Sequence, residues 1–94
     1  MRLTDRQVNA IRVLLGQADP DGKIYLFGSR ADDSKQDGDI DLFFETTIFL
    51  EMRARLQLEY RLSVACDSDV DLIVKTPRHA EQPIYAIARK GILL

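Results

Sequence analysis

Tryptophan is absent from this 94-residue chain, and cysteine and histidine occur once each. A single thiol, Cys66, forbids an internal disulfide and fits a reducing compartment. With no base pattern beside it, that thiol reads as a structural group rather than a nucleophile. A lone histidine without a cysteine partner is a poor start for a zinc site. His79, just after Pro77-Arg78, reads instead as a surface loop residue. No apolar stretch approaches the ~20 residues of a membrane span. Met1 to Gln7 is too polar for a secretory signal, so the expected location is the cytoplasm. Positive charge is not in excess either: 13 basic residues face 15 acidic ones. That excludes a broad basic surface for coating nucleic acid, though not the binding of one nucleotide with metal ions. There is no repeat, linker or low-complexity segment. The length implies one domain over residues 1–94 with a single modest core.

What is present has a regular order. Thr4 followed by Gln7 is a capping box. Val8, Ile11, Leu15 and Ala18 then recur at helical spacing, which predicts a helix over about residues 5–17. Asp19-Pro20-Asp21-Gly22 closes it as a turn. Lys23 to Phe27 is a short apolar run ending at Gly28, consistent with a buried strand. Residues 28–38 are loop-like, and Asp39 to Phe44 reads as a second strand paired antiparallel with the first. Thr46 or Thr47 is suited to cap a second helix. On that helix Phe49, Met52, Leu56 and Tyr60 share one face, the expected buried one. Cys66-Asp67-Ser68 breaks it. Val70 to Val74 is a third strand. Pro77 and Pro83 bracket a loop into a last helix with Ile84, Ile87 and Ala88 as its apolar face. Gly91 stops this helix, and Ile92-Leu93-Leu94 is long enough for one more short strand. The result is an α/β chain with a small mixed sheet of three to four strands flanked by helices.

The chemistry concentrates in the second strand. Residues two apart on a strand point the same way, so Asp39 and Asp41 project together while Ile40 and Leu42 project oppositely. Adjacent carboxylates repel unless a cation lies between them. Oxygen-only ligands favour Mg²⁺ or Mn²⁺. A bare Asp-x-Asp is more often a solvated strand face. Here a strand, a Gly-Ser turn and a loop precede it. Gly28 at the strand end lets backbone N–H groups approach an anion. The Ser29 hydroxyl can donate to a phosphate, and Arg30 can add charge. On the third strand Asp69 and Asp71 share a face, and alternation does not choose between them.

Phe27-Gly28-Ser29-Arg30-Ala31 and Gly38-Asp39-Ile40-Asp41-Leu42-Phe43 resemble the minimal nucleotidyltransferases (MNT proteins) of the polymerase-beta-like superfamily. The resemblance continues through Val70-Asp71-Leu72-Ile73 to Ala88-Arg89-Lys90-Gly91-Ile92-Leu93-Leu94 and covers almost the whole chain. The loop departs from the family pattern, with Asp32 and Asp33 where relatives carry basic or small residues, and Gly38 where many carry Ser. The resemblance implies the polymerase-beta-like nucleotidyltransferase fold. It implies transfer of a nucleoside monophosphate, AMP from ATP, to a hydroxyl with release of pyrophosphate. Asp39 and Asp41 would each touch two Mg²⁺ ions roughly 3.5–4 Å apart. Asp71, which directly precedes an apolar run as the family's third acid does, would be the third ligand and proton acceptor. Gly28, Ser29 and Arg30 would hold the phosphates. The resemblance further implies a HEPN-type toxin as partner, with this chain as its antitoxin, acting by attaching AMP to a tyrosine of the toxin. A catalytically silent antitoxin or a nucleotide-binding regulatory module is the competing expectation.

The remaining residues read more simply. Asp32, Asp33, Asp37, Asp67 and Glu51 are expected as solvated acids. Arg53, Arg55 and Arg61 form a solvated basic face that can meet an acidic partner. Tyr60 and Tyr85 sit at apolar helical spacing and are expected in the core. Apolar surface on the last helix is suited to a homodimer.

Overall fold

Thr4 and Gln7 start the first helix as their spacing predicts. In the computed structural model, which describes residues 1–32 and 38–94, the Thr4 hydroxyl accepts from the Gln7 backbone N–H at 3.0 Å. The Thr4 N–H donates to the Gln7 side chain at 3.0 Å. Helix α1 runs Asp5–Ala18 and buries Ile11 and Leu15. The turn after it is tied down. The buried Asp19 carboxylate accepts from the Thr47 N–H at 2.6 Å, the Thr47 hydroxyl at 3.0 Å and the Asp21 N–H at 3.1 Å. Burial pushes this carboxyl's pKa up, but the hydrogen bonds from Thr47 and Asp21 outweigh it and leave the pKa below the ordinary value. Thr47 is therefore not a helix cap, contrary to its expected role. Thr46 is not one either: its hydroxyl donates to the Ile48 carbonyl at 2.7 Å. The second helix begins later, at Met52.

The sheet contains β1 (Lys23–Phe27), β2 (Ile40–Glu45), β3 (Val70–Lys75) and β4 (Ile92–Leu93), in the order β3-β2-β1-β4. β1 is antiparallel to β2 and β4, and β2 is parallel to β3. Parallel neighbours need a crossover, which α2 (Met52–Cys66) supplies. The expected α/β class and small mixed sheet are what the chain forms. Alternation sorts β2 onto two faces. Ile40, Leu42 and Phe44 join Ile11 and Leu15 of α1 and Leu58 and Leu62 of α2 in the main core. Phe43 points the other way, against Tyr85 and Ala88 of α3 (Pro83–Arg89). Its ring stacks on Tyr25 at 5.9 Å and Tyr85 at 5.2 Å between centroids. Arg89 fixes α3 to this face. It contacts Glu45 at 2.7 Å and Glu81 at 2.7 Å and lies over the Phe43 ring. The hydrogen bond from Arg89 holds the Glu45 carboxyl below its ordinary pKa despite partial burial. The seven-residue α3 is short, and its apolar partners are Tyr25, Phe27, Phe43 and Ile73. Asp41 and Asp71, on the same sheet face, lie beyond that cluster.

β3 is an edge strand, and its outward N–H groups are covered by α2. The Val70 N–H donates to the Ser63 hydroxyl at 3.1 Å, and the Leu72 N–H donates to Glu59 at 2.8 Å. Two side chains four apart on a helix thereby blunt an edge that would otherwise invite pairing.

The buried face of α2 is Leu58, Leu62 and Cys66. This corrects the expectation for Phe49, Met52, Leu56 and Tyr60, which are all exposed, Tyr60 at 71%. Tyr85 is in the core as expected, and Tyr60 is not. The physical reason is that α2 carries two apolar stripes on opposite sides, and periodicity does not say which turns inward. Burying Leu58 and Leu62 leaves no phenol to satisfy, whereas burying Tyr60 would. On α3, Ala88 is buried and Ile84 half-buried, but Ile87 is exposed. Among the described residues no helix is long and apolar enough to cross a membrane.

The two stripes of α2 should respond differently to truncation. Leu62→Ala is expected to destabilise by about 2–5 kcal/mol. Tyr60→Ala should stay within about 0.5 kcal/mol of the parent in urea unfolding. Equal losses would contradict the orientation of the helix.

Candidate active site

β1 ends at Gly28, and the chain turns there through one 3₁₀ turn, Gly28–Ala31. Gly28 has φ +73°, and a Cβ at this position would run into the Asp41 carboxylate. The last pair of the β1–β2 ladder, Phe27 opposite Asp41, brings these groups together. Gly38, with φ +145°, is packed so closely on the Ser29 hydroxyl that a Cβ would collide with it. The expected Gly-Ser turn and the residue preceding Asp39 are thus one packed unit. Its glycines are needed for close approach and for backbone conformations that L side chains rarely adopt.

Parallel pairing sets the acids beside one another. Asp41 is opposite Asp71 in the β2–β3 register, as Ile40 is opposite Val70. Strands ~4.8 Å apart place such neighbours in contact range. Asp41 is half-buried, while Asp39 and Asp71 are exposed. The Asp41 pKa is pushed up by burial first, then by the charges of Asp71 and Asp39 and by a side-chain hydrogen bond with Asp71. Among the described residues no basic side chain acts on Asp41. Like charges gathered in this way describe a place where a cation would lower the energy.

The choice between the two acids of the third strand has a geometric side. Asp71 lies within β3 beside Asp41. Asp69 precedes the strand, is exposed, and accepts the Ile40 N–H on its backbone carbonyl at 2.9 Å. Continuing the register places Asp69 opposite Asp39. Asp39, Asp69 and Asp71 line an open groove of about 540 Å³ together with Leu56, Glu59 and Tyr60 of α2. Among the described residues no three acidic, His or Cys side chains already converge on one metal-sized point. The donor set still suits a hard divalent ion. It is oxygen-only, and one to two carboxylates with substrate oxygens are the usual protein share for Mg²⁺.

The Arg30 side chain, expected beside the phosphates, is hydrogen-bonded within the chain. Its Nε donates to the Gly38 carbonyl at 3.0 Å, one terminal nitrogen to the Arg2 carbonyl at 3.1 Å, and the other to the Ser68 hydroxyl at 3.4 Å. The guanidinium braces the loop instead of facing open solvent. No local pattern encodes this brace, because two of the acceptors, Arg2 and Ser68, come from distant segments. His79 accepts the Thr76 N–H on Nδ1 at 3.2 Å and is half-buried. Cys66 is buried, which pushes its thiol pKa up and suits a structural group. Asp67 is exposed and ends α2 in the left-handed region at φ 48°. Glu51 is exposed as expected. Asp33 and Asp37 lie outside the described residues.

Residues 9–94 match the family described as polymerase beta, nucleotidyltransferase. No curated protein matches the chain significantly. Among solved structures, one of a tri-AMPylated Shewanella oneidensis HEPN toxin in complex with MNT antitoxin contains a chain 32% identical to this one, with a TM-score of 0.69. That match covers 90% of this chain and 65% of the other, so this chain spans less than two thirds of its length. A toxin–antitoxin solved with AMP-PNP contains a chain 33% identical, at TM-score 0.73, covering 88% and 67%. A mutant of the toxin–antitoxin MntA–HpeT contains one 35% identical, at TM-score 0.77, covering 93% and 70%.

The raised Asp41 pKa sets a sign for stability. A carboxyl whose folded pKa lies above its unfolded value stabilises fully below the unfolded pKa, about 4, and that contribution is lost as pH rises through the folded pKa. The metal-free Asp41→Asn variant should therefore melt higher than the parent at pH 7 in EDTA. The gap should close as pH falls toward about 4. A variant that melts lower at pH 7 would show that the carboxylate is not held at a cost.

Proposed function

The chain belongs to the polymerase beta nucleotidyltransferase family and, within it, to the minimal nucleotidyltransferases; on that premise we propose that it transfers AMP from ATP to a hydroxyl of a HEPN-type partner protein and thereby acts as its antitoxin. The observation that carries this reading is the Asp41–Asp71 pair, with Asp39 alongside, held against the Gly28 turn. The neighbours with a tri-AMPylated toxin and with AMP-PNP support AMP as the transferred group and a protein as its acceptor.

In this reading Asp39, Asp41 and Asp71 would hold two Mg²⁺ ions. Metal held there would supply charge neutralisation for the triphosphate and a lowered pKa for the attacking hydroxyl. The chain's own residues do the positioning. Gly28 opens the backbone of the turn to the β- and γ-phosphates, and Ser29 donates its hydroxyl to them. Asp71, the more exposed of the strand-paired acids, takes the acceptor's proton as the hydroxyl oxygen bonds to the α-phosphorus. The bond from the α-phosphorus to the bridging oxygen breaks, and pyrophosphate leaves. Phosphoryl transfer rests on placement and charge neutralisation, so three carboxylates and a turn are enough machinery. Arg30, braced on Gly38, Arg2 and Ser68, acts by fixing the turn.

A second reading, an antitoxin that works by contact without turnover, draws on the exposed apolar stripe of α2. One assay separates them. With α-labelled ATP, Mg²⁺ and a HEPN-type partner protein, the chain should label that protein. Asp39→Asn and Asp41→Asn should each reduce labelling by about 10²-fold or more, as expected when a transition-state charge contact is removed. Tight binding of the partner with no labelling under any nucleotide would leave the contact-only reading standing.

A further inference from the structure

The exposed side of α2 is apolar for its whole length. Met52, Leu56, Tyr60 and Val64 recur every fourth residue, each between 59% and 71% exposed. At its start Phe49 is also exposed, with the Arg78 guanidinium over its ring at 5.1 Å. A stripe of four large apolar side chains is more than scattered surface hydrophobics, and it is the kind of surface that partners cover. Its two borders differ. On one side Leu56 and Tyr60 also line the groove that contains Asp39, Asp69 and Asp71. On the other side run Arg53, Gln57 and Arg61. Among the described residues neither arginine has an ion-pair partner.

We propose that this stripe is the surface on which the protein acceptor docks, and that it delivers the acceptor's hydroxyl into the adjoining acidic groove. The occupant is a protein surface with an apolar ridge and carboxylates on the side that meets Arg53 and Arg61. Charge gives the orientation. Acidic groups of the partner are drawn to the arginine border and repelled from the groove, so only one edge of the partner faces Asp39 and Asp71. Continuity gives the purpose, since Leu56 and Tyr60 belong at once to the stripe and to the groove. A second copy is a poorer occupant. Two stripes packed antiparallel set arginine border against arginine border, and a copy seated there closes the groove on the acceptor.

The proposal rests on the acceptor being a protein, as in the proposed function, but its test is separable from catalysis. Met52→Glu combined with Val64→Glu alters the two ends of the stripe outside the groove. Titrated against the HEPN-type protein, the double variant should bind at least about tenfold more weakly. Its binding of ATP with Mg²⁺ and its melting temperature should stay those of the parent. Arg53→Glu with Arg61→Glu should slow association and flatten its salt dependence. Asp41→Asn should bind the partner as the parent does, whether or not AMP transfer occurs, so a failed transfer assay leaves this result readable. Unchanged affinity in the Met52/Val64 variant overturns the proposal. So does a parent that sediments as a dimer which this variant dissociates, because the stripe then belongs to a second copy.

Discussion

The β2–β3 pairing decides what the rest of this molecule must do. Parallel register places Asp41 beside Asp71, and alternation turns both away from the main core. The like-charge contact is unfavourable by itself, and burial makes it more so. Folding tolerates it because the opposite side of the same strand carries Ile40, Leu42 and Phe44, all fully buried. Each such side chain contributes roughly 1.5–3 kcal/mol on burial. The strand is anchored by one face so that the other can hold charges in discomfort. A cation between the two carboxylates would relieve that repulsion.

Several modest features serve this arrangement. α2 closes the parallel crossover, contributes Leu58 and Leu62 to the core, and shields the β3 edge with Ser63 and Glu59. α3 is held by Arg89 against Glu45 and over Phe43. The buried Asp19 ties the turn after α1 to Thr47, joining two loops that share no strand. The outcome is a face that is closed at one end by stacked aromatics and open at the other.

Much of this was legible in the sequence, and for identifiable reasons. The capping box at Thr4 and Gln7, the strand at Ile40–Glu45 and the pairing of the first two strands follow from local chemistry and a short connection. Asp39 and Asp41 on one face follow from alternation alone. The side-by-side placement of Asp71 does not, because it depends on a parallel register that no local pattern encodes. The orientation of α2 misled for a related reason: two apolar stripes with the same period differ only in what they meet after folding. Thr47 caps no helix because it binds Asp19, far away in the chain, and the Arg30 brace on Arg2 and Ser68 is just as non-local. Local rules describe what a residue can do, and tertiary contacts decide among the options.

The brace made by Arg30 has an implication for how such a chain can change over time. Ser29 packs on Gly38, and Arg30 holds the Gly38 carbonyl, so the two ends of the connection between β1 and β2 are fastened to each other. The cost of closing a loop grows only slowly with its length, about 0.6 kcal/mol for each doubling. Once the ends are fixed, residues can be inserted, deleted or rewritten between them without shifting Gly28 or Asp39. Changes of length in that connection are then expected to leave the carboxylates in place, which makes it a site where sequence can drift or a tag can be inserted.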